Sequence, residues 1–385
     1  MTETVVQAGI APDLGGESIV DKIAKVEAFC VELPYRGQVN FRAVSESKGQ
    51  YVLLRLTTHD GAEGISESVA RLRQNGEDAR ALAYDIDTFF APLLAGADPL
   101  AHNHILAEIG RIKGCRSAKA LIDVALWDLK GKLLGQPVWR LLGGGPVKPV
   151  PLTWIAHGDS TEAMIEQACH MVTERGFKAL KLKTWKRSVD DVVMVREVRK
   201  AMGDDIMIYV DANGTYLETE ARTILGRLDE FNIAFIEEPC SFPDPRRMAA
   251  MAAALPVALL GDQTCESLEA VNHLVSIHAV GAVSVKPRRT GITESLKIIA
   301  LCEAAGLPVV IGTGSESPIG TMSRIHLHTA MPSLHPWPTE MHFFEKLADD
   351  VAAGEFPLKD GMITPTDAPG FGVALDMAKI KKYAI

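Results

Sequence analysis

Two patterns of apolar and polar positions divide the chain near residue 148. Before it, the apolar runs at 26–33 and 51–61 have the length and the β-branched content of strands, and Asp60-Gly61 is a turn signal. Residues 117–135 instead carry apolar side chains at three- and four-residue steps, which predicts an amphipathic helix. Strands followed by helices indicate an α+β unit in this first portion.

After residue 148, short apolar runs alternate with amphipathic segments such as the helix predicted over 189–203. This alternation indicates parallel strands joined by helical crossovers. The runs are VPLTWI, ALKLK, IMIYVDAN, IAFIEEP, VALLGDQ, AVSVKP, PVVIGTGSE and HPWPTE, at 150–155, 179–183, 206–213, 233–239, 257–263, 282–287, 308–316 and 335–340.

One side chain able to line a site recurs at the carboxyl end of these runs, at intervals of 29, 28, 26, 25, 24 and 30 residues. In a closed barrel the strand ends converge on one face, whereas an open doubly wound sheet spreads them along an edge. We therefore predict an α/β fold of the TIM-barrel type rather than an open sheet. The recurring residues, in order, are Trp154, Lys183, Asp211, Glu237, Asp262, Lys286 and Glu316.

The change of pattern also predicts the domain organisation. Residues 1–20 are expected to form a mobile N-terminal tail, and residues 21–147 an α+β capping domain. Residues 148–342 are expected to form the barrel, and residues 343–385 to return and pack on the cap.

Composition and charge argue against two kinds of partner. A net charge of −9 and a pI of about 5.7 give no basic footprint for nucleic acid or for an anionic membrane surface. No apolar run reaches the roughly 18 residues of a membrane span, and the first twenty residues lack a signal-peptide pattern. We expect a cytoplasmic protein.

Three carboxylates end three successive predicted strands. Asp211, Glu237 and Asp262 would meet at the barrel mouth, where they repel one another unless a cation lies among them. Hard oxygen ligands without His or Cys select Mg²⁺, with Mn²⁺ as the alternative, over zinc. Asn213 and Glu238 are close enough in sequence to orient these ligands. One such acid would more often be a helix cap or half of an ion pair, but three at this spacing favour a metal site.

Lysines lie on two of the predicted strands. Lys181 and Lys183 share one face of the second strand and are expected to point into the barrel mouth. Two neighbouring ammonium groups disfavour each other's charge, so one of them should have a lowered pKa and act as a base. Lys286 ends the sixth run and would face the other side of a bound substrate. Isolated lysines at strand ends often only extend into solvent, but two inward lysines on one apolar strand are hard to explain in that way.

Together these residues predict removal of the proton next to a substrate carboxylate, with a metal ion stabilising the resulting enediolate. An isomerase that racemises, epimerises or cycloisomerises a small-molecule carboxylate is our leading prediction, and a dehydratase would share its first step. A Schiff-base aldolase with a lysine nucleophile would leave the three carboxylates unexplained. A barrel that only binds a ligand would not need both the lysines and the acids.

At these positions the sequence closely resembles the enolase superfamily, and within it the muconate-lactonizing (muconate cycloisomerase-like) subgroup. The resemblance extends from about residue 22 to residue 376. The residues that carry it are ALIDVALWDLKGKLLGQPVWRLLGG at 120–144, Lys181-Leu182-Lys183, Asp211-Ala212-Asn213, Glu237-Glu238-Pro239, Asp262, Lys286 and APGFGVALD at 368–376.

The resemblance implies an α+β capping domain over a (β/α)₇β barrel. It also implies that the three carboxylates hold Mg²⁺, that Lys183 and Lys286 form an acid–base pair, and that Lys181 supports them. A lysine on the sixth strand is typical of this subgroup, whereas the mandelate-racemase subgroup would carry a His after the seventh. Asp262-Gln263 and Thr290-Gly291 replace the usual Asp-Glu and Gly-Gly, which leaves the substrate open. Such enzymes commonly form homo-oligomers, and we expect one here.

In this family, loops of the cap select the substrate. Here they offer Arg36 and Arg42 as ligands for a second carboxylate, or as solvated loop residues. Trp154 is expected at the pocket wall, either in packing or as the partner of a cationic group. Glu316 and Glu340, at the seventh and eighth strand ends, are expected to touch substrate or to pair with a lysine of the site.

Overall fold

A computed structural model gives the positions of most of the chain. The residues it describes are 21–41, 44–72, 76–158, 160–354, 356 and 358–385. The predicted tail over 1–20 and Arg42, one of the two loop arginines, lie outside the described residues.

The cap begins with an antiparallel meander of three strands in chain order. These strands are β1 Ile23–Phe41, β2 Val44–Thr58 and β3 Glu63–Ala70. The helices that follow are α1 Ala79–Asp85, α2 Ala91–Leu94, α3 His102–Gly110, α4 Arg116–Leu133 and α5 Val138–Leu141, with a π-helical turn over Ile86–Phe90. Leu54 and Leu56 of the meander share a buried cluster with Ile122 and Ala125 of α4. The amphipathic face of α4 therefore holds the meander in place.

Seven parallel strands, neighbours in the order β5 to β11, form the wall of the barrel. From residue 150 onward the strands are β4 Val150–Pro151, β5 Thr153–Ala156, β6 Ala179–Lys183, β7 Met207–Asp211, β8 Ile233–Glu237, β9 Leu259–Gly261, β10 Ala282–Val285 and β11 Val309–Ile311. The α-helices of this portion are α6 Thr161–Thr173, α7 Val189–Met202, α8 Glu218–Leu225, α9 Pro245–Ala254, α10 Leu268–Ser276, α11 Pro287–Ala305 and α12 Pro318–Ala330. Short 3₁₀ turns cover Gly226–Phe231, Pro332–Leu334 and Phe343–Lys346.

The eighth run closes the ring. Thr339 receives a hydrogen bond on its carbonyl oxygen from Thr153 N (2.7 Å) and donates from its own N to Pro151 O (3.0 Å). On the other side, Glu340 N donates to Ile311 O over 3.0 Å. Both edges of the seven-stranded sheet are thus joined through this segment, and the predicted (β/α)₇β barrel with an α+β cap is confirmed.

The run predicted over 150–155 is divided between two sheets. Its first two residues, β4, pair antiparallel with Met362–Ile363, whereas β5 pairs with β6 in the barrel. Pro151 lacks the N–H that a continuous ladder needs, which explains the division at this point. The remaining elements are β12 Ala352–Ala353, β13 Leu358–Lys359, β14 Met362–Ile363, β15 Ala374–Leu375 and α13 Met377–Tyr383.

The C-terminal segment contacts the first strand of the cap. Ile385 N donates to Cys30 O over 3.1 Å, and Ala384 forms a bridge with Val31. Earlier in the segment, the ring of Phe343 meets Tyr35 edge-on at 5.6 Å.

The boundary between cap and barrel at 147/148 stays a prediction. Among the described residues, the helices are all too short or too polar to span a bilayer.

The cap helix α4 fixes a kink in α11, the helix that follows the sixth barrel strand. Asp123 accepts N–H groups of Ile292 and, over 2.9 Å, of Thr293. Trp127 Nε1 donates to Thr293 Oγ1 over 3.0 Å. Gly291 has a φ of +62°, and a Cβ there would lie 2.3 Å from Asp123 Oδ2. Only glycine permits this close approach, so the cap and the kink of α11 near Lys286 are packed as one piece.

Strand β3 makes a second joint with the barrel. Glu67 accepts the N–H of Ser317 over 2.8 Å and also the Ser317 hydroxyl. Burial, helped by the neighbouring charge of Glu316 and opposed by these hydrogen bonds, raises the pKa of the Glu67 carboxyl to about 7. The carboxyl is therefore protonated in the folded protein over a pH range in which the unfolded chain ionises it.

This shift predicts a loss of stability as the pH rises. Because the folded pKa lies above the unfolded one, the contribution of Glu67 is complete below about pH 4.5 and is lost as the pH passes 7. We expect Glu67→Gln to remove this loss. Between pH 4.5 and pH 8 the free energy of unfolding of the variant should therefore rise relative to that of wild type by up to about 3 kcal/mol. Urea titrations at several pH values measure the difference between variant and wild type.

Buried histidines also make stability depend on pH, for example His326, whose pKa burial lowers to about 3. Because variant and wild type contain the same histidines, this contribution cancels in the difference between them. A constant difference across the range would show that Glu67 is ionised in the folded protein.

Candidate active site at the barrel mouth

The carboxyl ends of β6, β7 and β8 place three of the predicted residues side by side. In the parallel register Lys183 is opposite Asp211, and Asp211 is opposite Glu237. Both acids are buried, with 1% of their surface exposed. Lys183 Nζ donates to Asp211 Oδ2 and, over 2.9 Å, to Asn213 Oδ1. The strand spacing therefore brings a lysine and two carboxylates into one row.

Lys181, two residues earlier on β6, is buried beneath this row. Its Nζ lies 3.0 Å from Asp211 Oδ2, 2.8 Å from Glu237 Oε2 and 2.9 Å from Glu340 Oε1. The hydroxyl of Tyr209 donates to Glu340 Oε1 over 2.7 Å. Lys181 thus connects the acids of β7 and β8 with the segment that closes the barrel.

The third acid of the set, Asp262, follows β9 and is 3% exposed. Lys286 Nζ donates to its Oδ2 over 2.6 Å, and Arg289 donates to its Oδ1 over 3.0 Å. Arg289 also donates to the Asp262 backbone oxygen over 2.8 Å. Lys286 itself follows β10, so the two predicted acid–base lysines approach the acids from strands on different sides of the mouth.

Asn213 and Glu238 support these acids, as their places in the sequence suggest. Asn213 N donates to Asp211 Oδ1 over 2.8 Å. Glu238 accepts the N–H groups of Asp262 (2.7 Å) and Thr264 (2.9 Å), and the Thr264 hydroxyl (2.7 Å). Asn213 and Glu238 have φ values of 46° and 39°, which turn the chain sharply just after the strand ends. Both residues fix the direction of an acid through the backbone.

Cationic side chains beside Asp211 and Asp262 favour the carboxylate form of both acids. Burial raises the pKa of Asp211, but the charges of Lys181 and Lys183 outweigh it and lower that pKa to about 2. Burial is likewise outweighed at Asp262, where Lys286 and Arg289 hold the pKa well below its usual range.

The remaining acid and the buried lysine behave differently. Burial, followed by the charge of Asp211, raises the pKa of Glu237 well above its usual range. Burial disfavours the charged form of Lys181, but Asp211, Glu237 and Glu340 raise its pKa well above the usual value. Lys181 is therefore not the member of the lysine pair with the lowered pKa that the sequence predicts, because three carboxylates surround it.

Each carboxylate of the predicted metal set contacts a cationic side chain in this structure. As the described side chains are placed, no three His, Cys, Asp or Glu residues converge closely enough to hold a metal ion. The donor chemistry nevertheless fits a hard divalent cation, since the set is buried and consists only of carboxylate oxygens. Glu237 Oε2 accepts no hydrogen bond, although Lys181 Nζ lies 2.8 Å away in an unfavourable direction. Buried carboxylates need cationic charge, and here lysines supply it.

The structure places the predicted substrate-binding residues in different surroundings. Glu340 pairs with Lys181, and Glu316 pairs with Arg324 at 2.9 Å. Trp154 is buried: its ring lies 4.4 Å from that of His342, and its Nε1 donates to Gln167 Oε1 over 3.0 Å. Lys346 Nζ also lies 4.9 Å from the centre of this ring, so a place at the pocket wall, in packing or beside a cationic group, stays a prediction.

The cap arginine Arg36 is exposed. Its Nε donates to the backbone oxygen of Glu345 over 3.1 Å. Arg36 therefore holds the 3₁₀ turn after the eighth strand, and a role in substrate binding stays a prediction.

Three residues of the site are missing from the sequence prediction. Tyr209 lies two positions before Asp211, so strand alternation could have found it. Arg289 follows Lys286 by three residues, but nothing in the sequence shows that it turns back onto Asp262. Arg324 lies within α12 and is 1% exposed, and a buried arginine has no pattern that distinguishes it from a surface one.

Comparisons with known proteins show the family of the chain. Residues 163–379 match the enolase C-terminal domain-like family, and residues 23–143 match the mandelate racemase / muconate lactonizing enzyme N-terminal domain. A chloromuconate cycloisomerase of Cupriavidus necator is 31% identical over 367 residues, which cover 94% of this chain and 99% of that protein. An N-succinyl-L-Arg/Lys racemase of Bacillus cereus is 28% identical over 309 residues, or 80% of this chain and 84% of the racemase.

A solved structure shows the same likeness. The muconate lactonizing enzyme from Pseudomonas fluorescens, crystallised with muconolactone, superposes with a TM-score of 0.90 at 29% identity, covering 95% of this chain and all of that one. Fold and site together define a barrel enzyme of a metal-dependent class. The chain belongs to the enolase superfamily, in its muconate-lactonizing subgroup. The predicted family is confirmed, and the relatives support an isomerase.

Proposed function

We propose that this enzyme is a Mg²⁺-dependent isomerase that removes the proton next to the carboxylate of a small-molecule acid. The observation that carries the proposal is the placement of Lys183 and Lys286 on two sides of one group of buried carboxylates. An amine on each side of the mouth can serve the two faces of one carbon atom.

Asp211, Glu237 and Asp262 would hold the ion, and Asn213 and Glu238 would keep two of them in position. When bound, Mg²⁺ supplies positive charge to the substrate carboxylate as negative charge develops on it. Mn²⁺ would satisfy the same oxygen donors.

The chain's own residues account for the movement of the proton. In the proposed reaction Lys183 removes the α-proton from one face, and Lys286 returns or holds a proton on the other. Lys181 lies within 3.0 Å of an oxygen of Asp211, of Glu237 and of Glu340, and it acts by stabilising negative charge. Burial of the three carboxylates limits the access of water to them, which strengthens these interactions.

Cycloisomerisation and racemisation or epimerisation both fit this proton transfer. The cycloisomerase and racemase relatives favour these reactions. A dehydratase shares the first step and is the second candidate, distinguished by loss of water from the substrate. A Schiff-base aldolase would need a reactive lysine but would leave the three buried acids of the site without a role. A homo-oligomeric state and a cytoplasmic location stay predictions from the sequence.

Deuterium exchange tests the proposal. We expect the enzyme with Mg²⁺ to incorporate deuterium from D₂O at the α-carbon of at least one acid among N-acyl amino acids, acid sugars and muconates. EDTA should stop the exchange, and added Mg²⁺ should restore it, because the ion supplies the positive charge that stabilises the negative charge on the substrate carboxylate. The readout by NMR is loss of the α-proton signal or, for a muconate, deuterium at the α-carbon of the lactone that it forms.

Exchange that continues in EDTA would contradict metal dependence. A substrate adduct trapped by borohydride on a lysine would favour the aldolase.

A further inference from the structure

Trp185 is half-buried and lies two residues beyond Lys183, just past the end of β6. Its indole Nε1 donates to Asn213 Oδ1 over 3.2 Å. The same oxygen accepts a hydrogen bond from Lys183 Nζ over 2.9 Å. At the other arm of the amide, Asn213 Nδ2 donates to Asp211 Oδ2 over 3.1 Å. One amide therefore connects the indole of Trp185, the amine of Lys183 and the carboxylate of Asp211.

The partners of the Asn213 amide permit only one of its two orientations. An indole N–H can only donate a hydrogen bond, and a carboxylate can only accept one. A rotation of the amide by 180° would set its NH₂ group against the indole N–H of Trp185. The same rotation would set its oxygen against Asp211 Oδ2. Trp185 and Asp211 therefore hold the amide from its two ends.

The orientation of this amide decides where the lone pair of Lys183 points. A neutral amine, the form that accepts a proton, has two N–H groups and one lone pair. Asp211 Oδ2 and Asn213 Oδ1 both accept from Lys183 Nζ, so they can occupy both N–H groups and leave the lone pair for the substrate. In the rotated amide, Asn213 Nδ2 would donate to that lone pair, and the amine could not take up a proton.

The ring and the N–H of Trp185 make separate contacts with this group. Lys183 Nζ lies 5.4 Å from the centre of the indole ring, within the range of a cation–π contact when the amine is charged. A phenylalanine would keep an aromatic face at this place but would lose the donor to Asn213. Trp185→Phe therefore removes the hydrogen bond with little change in packing.

We propose that Trp185 is a positioning residue for the base Lys183: its N–H fixes the amide of Asn213, and the amide leaves the lone pair of Lys183 free for the α-proton. The inference rests on the proposed function for the role of Lys183. It concerns one face of the substrate, because Lys286 is bound to Asp262 (2.6 Å) on another side of the mouth.

Exchange of each enantiomer of a substrate in D₂O, with Mg²⁺ present, tests this inference. Trp185→Phe should lower kcat about 10-fold for the enantiomer that depends on Lys183, the factor expected for one lost hydrogen bond. KM, the Mg²⁺ affinity and exchange of the enantiomer that depends on Lys286 should be those of wild type. Asn213→Gly, which accepts the φ of 46°, should lose at least as much, and adding Trp185→Phe to it should cause no further loss.

Trp139→Phe is the matched control. It removes an indole N–H that donates to Thr366 O over 3.3 Å, and it should exchange both enantiomers at the wild-type rate. Equal losses for both enantiomers in Trp185→Phe, no loss of kcat for either, or a further loss on the Asn213→Gly background would overturn the inference.

NMR of the whole protein distinguishes this inference from the proposed function. The indole N–H resonance of Trp185 should shift in Asn213→Gly, and the side-chain amide resonances of Asn213 should shift in Trp185→Phe. If both shifts occur but wild type exchanges no acid, the proposed function fails while the fixed orientation of the amide stands. Resonances that do not move would overturn the inference whatever the exchange shows.

Discussion

Replacement of Lys183 by methionine is expected to lower the rate of α-proton exchange roughly 10³–10⁴-fold for one enantiomer of a substrate, as loss of a general base does. Lys286→Met should have the same effect on the other enantiomer, because the two lysines approach from β6 and β10 on different sides of the mouth. Exchange in D₂O, followed by NMR for each enantiomer separately, measures both effects.

Lys178→Met is the matched control, since Lys178 is exposed just before β6 begins. It should exchange both enantiomers at the wild-type rate. If Lys183→Met did the same, Lys183 would not be the base.

Replacement of Glu237 by glutamine is expected to weaken Mg²⁺ binding by at least about 100-fold, since even groups that only orient metal ligands are worth 10–100-fold. The side chain keeps its size but loses the charge that a hard cation needs. Asp211→Asn and Asp262→Asn should act in the same direction, and calorimetric titration with Mg²⁺ measures each.

Glu218→Gln provides the comparison, because it removes one carboxylate that pairs with Arg247 at 2.7 Å on the outer helices. Its Mg²⁺ affinity should equal that of wild type. An unchanged affinity in one of the three variants would remove that residue from the ligand set.

The strand ends could be predicted because they follow from period and register alone. Lys183, Asp211 and Glu237 each end an apolar run, and parallel strands of equal spacing place such ends in one row. The same logic predicts the barrel, but it does not show that residues 150–151 also pair with β14. That pairing depends on a partner more than 200 residues away in the sequence.

Contacts between side chains from distant loops could not be predicted. Nothing local places Arg289 on Asp262, or shows that Arg36 binds the backbone at Glu345 and is exposed. The contacts that bury Trp154 could not be predicted for the same reason, since His342 and Gln167 belong to separate elements. Periodicity reports which face of an element is apolar, but not which neighbour covers it.

The hydrogen bonds that Asp123 accepts from α11, just after the kink at Gly291, have a consequence for engineering new specificity. A cap transplanted from a relative would bring its own version of α4, and any shift of that helix would move the chain only five residues after Lys286. Chimeras that exchange the specificity loops but retain residues 116–133 should therefore tolerate recombination better than exchanges of the complete N-terminal portion.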